Sequence, residues 1–120
     1  MALARTDLSA VVQIGAATTT AVYTVGAAQT AFVKSLLIFN LDRTTSQDVR
    51  IHVVPNSGGS AGTSGTTTSV ARLGIGTDDT FFFEPAYPVV MRNNGDCLKI
   101  QNEGNVTNAI NVLVTGDLEI

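Results

Sequence analysis

Apolar and polar residues alternate with a period of two in four separate segments of this chain, and no stretch holds the 3.6-residue period of an amphipathic helix. The cleanest alternation runs over Asp48–Pro55. It predicts a strand with Val49, Ile51 and Val53 turned inward and Arg50 and His52 turned outward to an ordinary surface or interface position. Residues 31–41 predict the strongest strand. Val33, Leu37 and Phe39 fall on its core face, and Phe32, Leu36 and Ile38 on the other. Both faces are largely apolar, so this strand is expected to be central or covered on its second side. A short polar turn separates the two segments, which predicts a hairpin-like pair over 31–55. Weaker strand signals lie at 11–14, 19–25, 70–73, 80–84, 87–91, 97–101 and 111–120, punctuated by Gly, Asn and Pro turns such as Asn93-Asn94-Gly95-Asp96. The core faces of the later strands carry Leu98, Ile100, Val112 and Val114.

About eight antiparallel strands at short spacing predict an all-β fold, a single β-sandwich or jelly-roll-like domain. The expected organisation is an N-terminal arm and first short strand over 1–18, then the sandwich over 19–120. Residues 57–69 form a Gly/Ser/Thr run and read as one exposed flexible loop with little role in stability.

Composition narrows the function. The chain has 120 residues, 14% of them charged, and a net charge of -3, which argues against a nucleic-acid binder. Sixteen threonines and few charged helix formers fit pleated strands. One Cys excludes an internal disulfide, and one His leaves no partner for a zinc site. No apolar run reaches the eighteen residues of a membrane span. The first residues, Met1 to Asp7, lack a basic stretch followed by an apolar one, so a signal peptide is not expected.

The search for chemistry yields no catalytic constellation and no cofactor or metal site. Cys97 sits in an alternating strand and reads as a small buried thiol. Asp78, Asp79 and Asp96 lie in Gly/Asn turns, where a carboxylate caps its own backbone. The run 57–69 lacks the Lys of a phosphate-binding loop. Asn105-Val106-Thr107 matches a glycosylation acceptor but has no secretory context. The triplet Phe81-Phe82-Phe83 stands apart, because alternation must send the middle ring to the opposite face from its neighbours. With Leu3 and Leu8 of the arm, these three rings are the expected oligomer or partner contacts.

The order of segments carries a resemblance. Val33-Lys34-Ser35-Leu36, then Val53-Val54-Pro55-Asn56-Ser57-Gly58, then Gly95-Asp96-Cys97-Leu98-Lys99-Ile100 and a closing Val112-Leu113-Val114 strand follow one another. This layout resembles small β-sandwich virion proteins of tailed bacteriophages over about residues 19–120, especially capsid decoration (cement) proteins. The long loop at 57–69 departs from their pattern. The resemblance implies a non-enzymatic homo-oligomer, a trimer by preference. It would bind the major capsid protein on the outer surface of a virion assembled in the bacterial cytoplasm, with no nucleic acid, membrane or small-molecule substrate. The second reading of the same resemblance is a tail, neck or baseplate component. A carbohydrate-binding module ranks below both, since the chain has no Trp and two Tyr with which to build a sugar platform.

Overall fold

The structure is a computed structural model that describes residues 3–8, 10–104 and 109–119, with the side chains of 3–7 left aside. The glycosylation-like triplet at 105–107 lies outside the described residues. All described regular structure is β. The strands are β1 (Leu3–Asp7), β2 (Val12–Ile14), β3 (Thr18–Thr24), β4 (Thr30–Asn40), β5 (Gln47–Val54), β6 (Ser69–Ile75), β7 (Thr80–Phe83), β8 (Val89–Met91), β9 (Cys97–Asn102) and β10 (Ile110–Glu119).

They form two antiparallel sheets packed as a sandwich. The first has the order β1-β10-β4-β7, with β2 continuing the line of β1 beside β10 and β8 continuing that of β7 beside β4. Both of its edges are therefore broken strands. The second sheet has the order β3-β9-β5-β6. The core between them is aliphatic, and Ile38, Val49, Ile100, Ile110, Val112 and Val114 are fully buried. Burial of each such side chain stabilises the fold by about 1.5–3 kcal/mol.

Two expectations are corrected here. Residues 31–55 are not a hairpin, because β4 and β5 lie in different sheets. The connection over 41–46 crosses the sandwich and is pinned by side chains. The Asp42 carboxylate accepts from Thr44 N–H at 2.8 Å and Thr45 N–H at 3.2 Å, and Asn40 Nδ2 donates to Thr45 O at 3.0 Å. Five polar turn residues look the same in sequence whether the chain doubles back or changes layer.

The second correction concerns β4. Ala31, Val33, Leu36 and Ile38 are buried, while Leu37 and Phe39 face outward. A bulge is responsible. Thr115 pairs with Ser35 but Gly116 pairs with Val33, so Lys34 is the extra residue. One added residue reverses the phase of everything beyond it.

The expected N-terminal arm is also tied down. β1 pairs with the end of β10 from Leu3↔Glu119 to Asp7↔Thr115, and Leu8 N–H donates to Val114 O at 2.9 Å.

Candidate interaction surfaces

The outer faces of the two sheets are finished differently. On the four-stranded sheet, the alternation of β5 and β9 turns His52, Val54, Cys97 and Lys99 away from the core. These positions are nonetheless covered. Val54 and Cys97 are 1% and 0% exposed, because the Gly/Ser/Thr segment lies across them. Lys99 Nζ donates to Gly62 O at 2.8 Å, and a Cβ at Gly62 would meet the Pro55 carbonyl and Val54. Most side chains between 57 and 67 are exposed, but the backbone is fastened at both ends.

At its start, Asp96 Oδ1 accepts from the Asn56 N–H at 2.9 Å and from Asn56 Nδ2 at 3.0 Å, and Asp96 Oδ2 accepts from Asn93 N–H at 3.1 Å. At its end, Thr68 Oγ1 donates to Gly65 O and accepts from Gly65 N–H. His52, expected at an ordinary surface or interface position, is thereby 3% exposed. Its Nδ1 lies 3.0 Å from Thr68 Oγ1 and its Nε2 2.9 Å from Gln101 Oε1. The Nδ1 contact ties the end of the loop to the sheet, and the Nε2 contact joins β5 to β9 within it.

Asp96 predicts a pH effect. Burial pushes its carboxyl up, but the donors from Asn56, Asn93 and Arg92 outweigh this and hold it below the usual carboxylate range. A folded pKa below the unfolded one stabilises the fold above the unfolded value, about 3.9, and the contribution is lost as pH falls through the folded pKa. Asp96→Asn should therefore lower stability at neutral pH and flatten the acid limb of a melting-temperature profile below about pH 4. Parallel acid limbs for the two proteins would contradict the assignment.

Beside this loop an open polar hollow of about 430 Å³ is lined by Thr19, Arg50, His52, Thr66, Gln101 and Glu103, among others. Its charges are already paired. Arg50 Nε lies 3.1 Å from Glu103 Oε2, and Arg72 Nε 3.0 Å from Glu103 Oε1. The Cys97 thiol is raised by its burial, against smaller opposing effects from the Lys99 charge and the Gly62 backbone. It is a buried free thiol packed beneath the loop. Among the described residues no three His, Cys, Asp or Glu side chains converge as metal ligands would.

The six-stranded sheet presents a different outer face. Phe81 and Phe83 turn inward and pack against the core, half-buried, while Phe82 points out and is 63% exposed. Phe82 pairs with Leu37, and Val11, Leu37, Phe39 and Leu113 line an apolar groove of about 290 Å³ on this face. Farther along, Lys34 and Asp117 form an ion pair at 2.6 Å beside Phe32.

Of the residues expected to meet a partner whose side chains are described, Phe82 is the exposed one. Leu8 is half-buried against the core of its own domain, and Leu3 is placed through its backbone alone. Sequence reasoning did not assign Leu37, Phe39, Val11 and Leu113 to this surface. The signal was the doubly apolar β4, whose two faces could not both be solvent-exposed.

A third feature lies between the sheets. Where β6 faces the broken β7/β8 edge, the sandwich is open, and an apolar cleft of about 340 Å³ enters the core between Val70 and Phe83.

No family model matches the chain, and no curated protein matches it. Among solved structures, it aligns with the structure of the Gt strain of infectious bursal disease virus at 8% identity and a TM-score of 0.38, and with that of the Gx strain at 11% and 0.35. Each alignment covers 98% of this chain, which spans about a third (32%) of the matched chain. At these scores the alignments establish neither common descent nor a shared role.

Proposed function

We propose that this chain is a structural virion protein of the tailed-bacteriophage type, a capsid decoration protein that holds neighbouring major capsid subunits together from the outside. The observation that carries this reading is the asymmetry of the two outer faces. One is crossed by the domain's own loop and is otherwise polar, with its charges in ion pairs, while the other leaves Phe82 and an apolar groove in solvent. Exposed apolar area of this kind marks a protein contact. The ordered strand motifs support the phage virion class. Copies of the protein would associate as trimers, and binding to assembled shells but not to separate subunits would stabilise the shell by mass action.

The test compares particles with and without the protein. Particles lacking it should lose their contents at lower temperature, and imaging of complete particles should show density over the whole shell. Density at a single vertex would assign the protein to a neck or tail instead. Phe82→Ser should leave the isolated domain within about 0.5 kcal/mol of its original stability, as exposed sites do. It should weaken shell binding by about 2 kcal/mol, roughly 30-fold, as the loss of an aromatic anchor does. Full binding by Phe82→Ser shells would remove this face from the contact.

A further inference from the structure

The cleft between the sheets is the feature that the proposed function leaves unused. Its floor is core: Val33, Leu36, Ile51 and Leu98 are each 1–2% exposed to solvent. Its rim is formed by Val70, 60% exposed, and by Phe83, Pro85 and Val89. The nine residues that line it are all apolar. A close-packed interior does not leave such a volume open without loss, since a cavity of about 150 Å³ already admits a benzene ring. At about 340 Å³ this one has room for roughly two apolar side chains.

What enters is set by the strand beside it. β6 ends its sheet, and no described strand pairs with its outer edge. A bulge opposite Ile51 and His52 turns Val70 toward the cleft mouth. The facing edge is interrupted, because β7 stops at Phe83 and Pro85 and Pro88 precede β8. β3, at the far side of the same sheet, also has an open edge but no apolar cleft beside it. The β6 edge sets open backbone donors and acceptors beside this apolar cleft. A lone hydrocarbon would leave those backbone groups unused, and a ligand with a polar head would find no polar side chain in the lining.

We propose that this site accepts an extended segment of another protein, added as a strand to β6 with two alternate large apolar side chains in the cleft. Side chains two residues apart on a strand are about 6.6 Å apart on one face, which suits two neighbouring positions in one cavity. The donor is another protein because every described strand of this chain is already paired within its own sheets. The inference does not depend on the capsid reading, which rests on the opposite side of the first sheet.

The probe is a soluble nine-residue peptide, Lys-Thr-Val-Thr-Leu-Thr-Val-Thr-Lys, titrated into isotope-labelled protein with amide shifts recorded. Saturable shifts confined to β6 and to residues 83–89 are expected. Val70→Glu, at an exposed position that the fold tolerates, should weaken binding at least tenfold. So should N-methylation of alternate peptide residues, which removes ladder donors. Phe82→Ser should change it less than twofold. Filling of the cleft by cyclohexane with no response to the peptide would overturn the proposal in favour of a small hydrocarbon ligand. Equal binding of the N-methylated peptide, or no shift with either probe, would also overturn it.

Discussion

Gly116→Val is expected to cost the domain at least about 3 kcal/mol, a drop in melting temperature of roughly 12 °C for a chain of this size. Gly116 sits at the bulge where β10 is flanked by β1 and β4. A Cβ built there meets the Phe32 carbonyl of the neighbouring strand, far inside the closest approach of non-bonded atoms, and lies 3.2 Å from Leu8 Cδ1. The obstacle is backbone and not the tip of a flexible side chain, so relief requires β4 and β10 to part. They form the central ladder of the first sheet. Gly65→Ala is the matched control, since no atom lies within 4 Å of the Cβ it would add, and it should shift stability by less than about 0.5 kcal/mol. A Gly116→Val protein that melts within about 4 °C of the original would show that the strands do not approach as described.

The second large effect concerns the Gly/Ser/Thr loop. Joining Asn56 to Thr68 through a two-residue turn, with the intervening residues removed, should destabilise the domain by about 3 kcal/mol in urea unfolding. Loop-closure entropy alone would favour the shorter chain by a fraction of a kcal/mol per halving of length. Against that stand the re-exposure of Val54 and Cys97, worth about 1.5–3 kcal/mol for the valine alone. The Lys99 bond to Gly62 O is also lost, as is the Gly65 clasp that orients Thr68 toward His52. A loss of 1 kcal/mol or less, the value suited to a slack loop, would show that the segment is not a cover.

The loop shows where composition misleads. A run with almost no large side chains reads as having nothing to bury, and in its side chains that is nearly so. What it contributes is backbone. Gly62 is useful because it has no Cβ to hold the chain away from Pro55 and Val54, and its carbonyl takes the Lys99 ammonium. Pattern analysis sees side chains, so a lid made of main chain leaves no trace in it. The burial of His52 is hidden from the alternation for the same reason. Its outward direction followed from alternation, but its burial depends on a segment that hydropathy scores as solvent.

The sequence by itself determined the all-β class and the sandwich, because period-two alternation and frequent turn residues leave no stretch able to bury one face of a helix. It also determined that Phe82 points away from Phe81 and Phe83, since neighbouring strand residues must face opposite ways. The tertiary structure alone decided which face of β4 is core, because the bulge at Lys34 depends on the register of β10, more than 70 residues away in sequence. It decided as well that β4 and β5 part into separate sheets, and that the β6 edge stays open over an apolar cleft. Those outcomes rest on pairings between distant strands, and local alternation is the same whichever neighbour a strand finally meets.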